Sequence, residues 1–277
     1  MLGGDRIEYK TPDQIRVMRR AGLVVADIHA ALRDAAAPGV TTAELDDVAR
    51  GVLEGAGATS NFLGYHGYPA HVCISVNEEV VHGIPGSRVL DDGDVVSFDC
   101  GAVVDGWHGD AAFTMILGEA DPADVALSEV TRDAMWDAIA ALATGERLGV
   151  VGSAVEDAVS ARTAAGDGPY SILEDYVGHG IGSAMHQPPD VLNYRTRQRG
   201  PRLRPGMCLA VEPMITRGGL ETVVLGDDWT VVTADGARAA HWEHTVAIVD
   251  GGVWVLTAPD GGEEELAKRH LSAVFLP

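Results

Sequence analysis

The chain has 277 residues, 46% hydrophobic and 22% charged, which is ample for a large core in one large or two small domains. Its formal net charge of −21 argues against a nucleic-acid-binding surface, which needs clustered Lys and Arg. No apolar run approaches the ~20 residues of a membrane span, so no membrane partner is expected.

The N-terminal stretch MLGGDRIEYKTPDQ is polar and has no apolar core of a signal peptide. Cys73, Cys100 and Cys208 are an odd number without paired spacing, so a disulfide framework and CxxC zinc ligation are not expected. A reducing cytoplasm is the location these features imply. The basic cluster Arg195, Arg197, Arg199, Arg202 and Arg204 surrounds Gly200-Pro201 and reads as an exposed loop whose arginines pair with surplus acids.

Thr11-Pro12-Asp13-Gln14 opens a first helix with an N-cap, a proline in the first turn and a capping-box partner. Ile15, Met18, Gly22, Val25, Ile28 and Leu32 keep helical spacing until Pro38-Gly39. Thr41 to Glu44 starts a second helix, which runs to about Glu54. Residues 55–70 read as a Gly- and aromatic-rich loop carrying Phe62, Tyr65, His66 and Tyr68. A strand over 71–77, a turn and His82-Gly83-Ile84 follow.

Val95 to Met115 reads as two strands joined by Asp105-Gly106, a strong two-residue hairpin signal. With that turn Asp110 faces Gly101, so Asp99 and Asp110 are diagonal neighbours on one face, roughly 7–8 Å apart at the backbone. Two carboxylates in an apolar sheet repel, so one is protonated or both bind a cation. On this stretch alone, two unremarkable acids on a solvated strand face fit equally well.

A third helix begins at Asp121-Pro122 and carries Val125, Val130, Met135, Ile139 and Leu142, and Ser153 to Glu156 caps a fourth. Residues 177–194, VGHGIGSAMHQPPDVLNY, read as a second Gly/His loop. Met207 to Ile215 is an apolar strand interrupted by Glu212-Pro213, and 241–249 with 253–257 form a second hairpin. The tail EEELAKRH is helical, with Glu264–Lys268 and Glu265–Arg269 one turn apart.

The chain repeats itself. GVTTAELDDVA at 39–49 aligns with GVVGSAVEDAV at 149–159, and His82-Gly83-Ile84 recurs as His179-Gly180-Ile181. Leu90-Asp-Asp-Gly93 precedes Asp99 by the same interval that separates Leu203-Arg-Pro-Gly206 from Glu212. Two pseudo-twofold halves, about 10–120 and 121–258, with acids at their join explain the pattern. A short tail follows at 259–277, and the whole of 1–277 is expected to form one catalytic domain.

Asp99, Asp110, Glu212 and Glu243 thus stand in apolar strands, with His179 in a glycine loop as a fifth member. Four carboxylates around one divalent ion leave a net charge of about −2, whereas two ions and a hydroxide leave about −1. An oxygen-rich set with one imidazole suits Mn, Fe(II) or Co better than structural zinc or calcium.

The motifs VVHGIPG, DCGAVVDGWHGD, GHGIGSAMHQPP, AVEPMI and WEHTVAIVDGG, in that order, resemble the type I methionine aminopeptidases, pita-bread metallohydrolases. LGYHGYPAHVCISVNEEVVHGIP resembles them most specifically, and the likeness spans roughly 7–257. It implies an α+β pita-bread fold with antiparallel sheets covered by helices. It also implies that Asp99, Asp110, His179, Glu212 and Glu243 ligate two divalent ions, with Asp110 and Glu243 bridging, and that Glu212 moves a proton. By the same resemblance His186 contacts the substrate carbonyl and developing oxyanion, and His82 the amide nitrogen. Tyr65, Tyr68, Cys73 and Trp229 fall where that family holds the methionine side chain. Phe62 and Met185 also touch this pocket and depart from the usual residues there, as do Ala111, Gln187 and Asn193 elsewhere. The implied substrates are N-termini of nascent polypeptides, met in transient proximity to the ribosome by a monomer.

Two other readings share parts of this pattern. A proline aminopeptidase or dipeptidase of the same fold has the same ligands but usually a large extra N-terminal domain, whereas about ten residues precede the first helix here. A non-catalytic peptide-binding relative is expected to have lost ligands, and all five are present. His29, His66, His108, His241, His244, Cys100 and Cys208 read as packing residues.

Overall fold

The structure is a computed structural model describing residues 6–276. Two long helices, α1 (Pro12–Ala35) and α2 (Thr42–Ala56), open the fold. Both start with complete capping boxes, Thr11 with Gln14 and Thr41 with Glu44, as their sequences require. All six apolar-face positions expected in α1, from Ile15 to Leu32, are buried.

Next come β1 (Thr59–Ser60), β2 (Val72–Val76), β3 (Glu79–Val81), β4 (Val95–Val104) and β5 (Trp107–Ile116). In the β4–β5 hairpin Gly101 pairs with Asp110 and Val104 with Trp107, the register that Asp105-Gly106 sets. Both turn residues have positive φ, 49° and 78°, as a type I′ turn demands. β2 pairs with the other edge of β4, and α1 and α2 cover the sheet around Ile28, Leu32, Leu45, Phe98 and Phe113.

The helix pair then recurs as α3 (Pro122–Thr144) and α4 (Val150–Ala165). The expected start of α4 at Ser153 is corrected. The helix begins near Gly149, without a side-chain cap, and Ser153 Oγ donates back to Gly149 O inside it. Val125 is only half-buried, and Leu127 joins the core in its place.

β6 (Ser171–Ile172), β7 (Gly178–Gly180), β8 (Gln187–Val191), β9 (Cys208–Val211) and β10 (Met214–Thr216) follow. After them come β11 (Thr222–Val224), β12 (Val231–Thr233), β13 (Ala239–His241), β14 (His244–Val249), β15 (Gly252–Val255) and α5 (Glu263–Lys268). A five-stranded antiparallel sheet runs β15-β14-β9-β7-β8 beneath α3 and α4. The expected loop over 177–194 therefore holds two strands. Pro188 and Pro189 are tolerated because β8 is the edge strand, where a missing N–H costs no ladder bond. In the tail, Glu264–Lys268 and Glu265–Arg269 pair as expected.

The repeat is visible in the backbone. Gly93 and Gly206 both have positive φ, and the strands carrying Asp99 and the approach to Glu212 each begin two residues later. The two sheets meet where β5 exchanges backbone bonds with Glu243, Glu243 N to Ala112 O at 2.9 Å and Ala112 N to Glu243 O at 3.3 Å. α1 backs this seam. A Cβ on Gly22 would overlap the backbone of Leu256, and one on Gly109 would lie 2.8 Å from Gly22 N.

Candidate metal centre and substrate cleft

Asp99 and Asp110 project from the unbroken β4–β5 ladder. Glu212 and Glu243 come from two breaks that lie side by side. β9 gives way to β10 at Glu212-Pro213 and β13 to β14 at Trp242-Glu243, with Val211 opposite His244 and Met214 opposite His241. Leaving the ladder frees these two residues to turn their side chains toward the aspartates.

One cavity of about 300 Å³ collects the groups singled out from sequence. Its polar end holds Asp99, Asp110, His179, Glu212 and Glu243, with His82 and His186 beside them. Its apolar end is a cluster of Phe62, Tyr68, Cys73 and Met185, with Tyr65 and Trp229 packed on it. Only His66 joins the cavity from among the residues read as packing groups.

Donor atoms of Asp110, His179 and Glu243 lie within 4.8 Å of one another, and so do those of Glu212, His241 and Glu243. His179 Nε2 stands 3.4 Å from Glu212 Oε1. His179 Nδ1 lies 3.0 Å from Gly180 O, so its proton sits there and Nε2 offers a lone pair to the carboxylates. Burial lowers the His179 pKa to about 3, which keeps the ring neutral.

The carboxylates are held at a cost. Asp110 and Glu243 are 3% and 2% exposed. Asp99 Oδ1, Asp110 Oδ1 and Glu243 Oε1 are buried without a hydrogen-bond partner. Burial raises the Asp99 pKa to about 7 and that of Glu212 to about 8. Asp110 and Glu243 are driven up first by burial and then by the neighbouring carboxylates. Orphaned buried oxygens cost roughly 1–3 kcal/mol each, more when charged, and a divalent cation removes that cost. The donor set, oxygen-rich with neutral imidazole, fits such an ion.

The flanking histidines are held by aromatic neighbours. Tyr65 Oη lies 2.8 Å from His186 Nδ1. The His82 ring meets Trp229 and Tyr176 edge-on, and His82 itself has a positive φ of 61°, an uncommon strain for such a residue. Tyr68 donates to Val72 O and Gly83 O, which fixes the pocket wall to the strand preceding Asp99. Of the departures noted in sequence, Asn193 donates to Glu212 O and Gln187 to Glu8, so both act on the frame around the cleft.

His241 was missed. Its signal was present: residues two apart in an extended segment share a face, so His241 and Glu243 point together while Trp242 packs away.

A deeply buried cluster of acids with imidazole at the end of an apolar slot defines a hydrolytic metal centre by its chemistry. Comparison with known proteins agrees. The model for metallopeptidase family M24 matches residues 16–250. Methionine aminopeptidase 1 of Mycobacterium tuberculosis is 50% identical over 258 residues, 92% of this chain and 97% of its own length. Methionine aminopeptidase 1 of Bacillus subtilis is 43% identical over 248 residues, 90% of this chain and 98% of its own. The crystal structure of methionine aminopeptidase from Thermotoga maritima superposes with a TM-score of 0.86 at 41% identity, covering 91% of this chain and 99% of that one. The chain belongs to metallopeptidase family M24 and, within it, to the methionine aminopeptidases. Membership implies use of a divalent metal and the pita-bread fold.

Proposed function

We propose that this chain is a methionyl aminopeptidase that removes the N-terminal methionine from nascent proteins and peptides, most readily when the next residue is small. The observation carrying this reading is the junction, in one cavity, of the acid and imidazole cluster with an apolar, sulfur-containing wall. Asp99, Asp110, His179, Glu212 and Glu243 would hold two divalent ions of Co, Mn or Fe(II) type, with Asp110 and Glu243 shared. Such ions, when bound, polarise the scissile carbonyl and lower the pKa of water.

The chain's own groups do the rest. Phe62, Tyr65, Tyr68, Cys73, Met185 and Trp229 surround an unbranched thioether side chain, which sulfur–aromatic contacts favour. The Tyr65 hydroxyl, its pKa raised by burial, donates to His186 Nδ1. The His186 proton then sits on Nε2, a donor for the substrate carbonyl as charge develops on it. Burial lowers the His82 pKa to about 4, so this ring meets the scissile amide as a neutral hydrogen-bonding group. Glu212 takes the proton from the attacking water and passes it to the departing amine. The free α-amine of the substrate is held at the same acid cluster, which restricts cleavage to chain ends.

The working unit in this reading is one catalytic domain spanning 1–277, monomeric and cytoplasmic, meeting N-termini close to the ribosome without direct RNA contact. Among the described residues no helix is long and apolar enough to cross a membrane. The deciding experiment is hydrolysis of Xaa-Gly-Met-Met and Met-Xaa-Met-Met panels by chelator-stripped protein reconstituted with Mn, Fe(II) or Co. Metal-dependent release of methionine is expected, with Lys- and Glu-initiated peptides slow because their charges would be desolvated unpaired. Leucine should be only partly rejected, since a small apolar difference is worth about 1–3 kcal/mol. Equal rates for Lys and Met would overturn the pocket assignment, and fast cleavage of every Xaa-Pro peptide would move the chain to the proline peptidases.

A further inference from the structure

His241 is 2% exposed, and its Nε2 is buried without a hydrogen-bond partner, aimed into the acid cluster. The nitrogen lies 3.5 Å from Glu212 Oε2, on the opposite side of that carboxylate from His179, which stands 3.4 Å from Oε1. Glu212 is thus bracketed by two imidazoles. We infer that His241 is a positioning residue for Glu212, its Nε2–H donating to Oε2 so that Oε1 is turned toward His179 and the metal cluster.

Three observations support this placement. First, the two oxygens of Glu212 face different imidazoles, Oε1 at 3.4 Å from His179 Nε2 and Oε2 at 3.5 Å from His241 Nε2. His179 Nδ1–H is spent on Gly180 O, so its Nε2 carries a lone pair and cannot donate to Glu212, whereas the unpartnered His241 Nε2 is placed to give a buried carboxylate oxygen the donor it needs. Second, the His241 backbone is gripped at both ends by a single hydroxyl. Thr114 Oγ1 accepts from His241 N at 3.0 Å and donates to His241 O at 2.8 Å. Thr114 Oγ1 also lies 2.8 Å from Ser97 Oγ. These two hydroxyls belong to the hairpin that bears Asp99 and Asp110, so the placement of Glu212 is referenced to the aspartates through His241. Third, Asn193 Nδ2 donates to Glu212 O at 3.1 Å. The Glu212 backbone is therefore fixed from one side and its carboxylate from the other, and removing either leaves the side chain free to rotate.

The inference rests on the metal-ligand reading of Glu212. Its test reads metal affinity by calorimetry with Mn²⁺ alone, and separately kcat and KM on a Met-Gly peptide, in the full-length protein. His241→Ala should loosen Mn²⁺ binding and lower kcat by about 10–100-fold, the usual cost of losing a group that orients a ligand, with KM little changed. His241→Gln, whose amide keeps an N–H donor, should restore both to within about threefold. In a Glu212→Gln background His241→Ala should add no further loss of Mn²⁺ affinity, because the two act as one unit. His241→Leu, which fills the volume without donating, should behave as Ala does and covers the case in which Ala fails to fold. If Gln binds Mn²⁺ as poorly as Ala and Leu, His241 is a ligand and the inference falls. If Ala and Leu match the parent protein in affinity and kcat, His241 only packs and the inference falls again. Absence of Met-Gly hydrolysis by the parent protein would strike the proposed function while leaving the Mn²⁺ comparison to decide the role of His241.

Discussion

The two halves of the molecule deliver their acids by different means. In the first half Asp99 and Asp110 sit on a ladder that pairs without interruption from Val95–Ile116 to Val104–Trp107. In the second, Glu212 and Glu243 occupy breaks between short strands. Short side chains on rigid backbone come from one half and longer side chains on released backbone from the other. The difference teaches that register alone places the aspartates, whereas the glutamates depend on their neighbours: Asn193 at one backbone, Ala112 at the other, and two imidazoles about Glu212.

Replacing Asp110 by Asn makes the sharpest cut through this contrast. The shape of the ladder residue is kept and one negative charge removed. Activity should fall by orders of magnitude and bound metal should drop, with the hairpin intact by circular dichroism. Near-normal activity with two ions bound would mean that the ladder does not supply a shared ligand.

A smaller effect is expected from His186→Ala, on the segment between β7 and β8. Loss of one donor to a developing oxyanion costs about 10²–10³ in kcat. Metal content should stay at the level of the parent protein, since His186 touches His179 ring to ring at 4.2 Å and Tyr65 by hydrogen bond but supplies no atom to the acid cluster. A fall in metal stoichiometry would show that this segment contributes a ligand.

The smallest effect is on stability, and it tests both halves at once. Asp99 and Glu212, one from each half, have pKa values raised by burial to about 7 and about 8. In the unfolded chain such carboxyls titrate near 4, so between those values the folded state holds more protons and stability falls as pH rises. His29 and His179, lowered to about 3, and His82 and His244, lowered to about 4, act oppositely, but only below about pH 6.5. Above that the carboxyls stand alone. The metal-free protein should therefore melt at progressively lower temperature from about pH 6.5 to 8.5, and saturating Mn²⁺ should abolish the decline. A metal-free Tm that rises over this interval would remove the argument that the acids repel.

What could be read from the chain was what local chemistry decides. Asp105-Gly106 fixed the hairpin register, and Thr11 with Gln14 and Thr41 with Glu44 fixed two helix starts. What could not be read depended on distant partners. Gly178 to Gly180 and the proline-bearing Gln187 to Val191 carry the composition of a loop, and become strands because β9 offers an edge to the first and the first offers its other edge to the second. Ser153 resembles a cap and is an interior residue, since the arriving backbone near Arg199 accepts the Gly149 N–H and lets the helix start earlier. The cleft residues were accessible through their motifs, and the structure gathers Phe62, Tyr68, Cys73 and Met185 into one apolar cluster. His241 is harder to read: its spacing of two from Glu243 is the one sign it carries, and a lone histidine in an apolar strand is more often a packing residue.

Gly22 and Gly109 bear on the spacing of the donors. α1 touches the backbone of Leu256 on one side and of Gly109 on the other with no side chain between. The helix thus works as a spacer of zero thickness, clamping β5 and the end of β15 to a common reference. A methyl at either glycine would be a shim driven into that joint, next to the strand that carries Asp110. The tolerance of the centre is accordingly set on the far side of the sheet, by two residues that have no chemistry of their own to contribute.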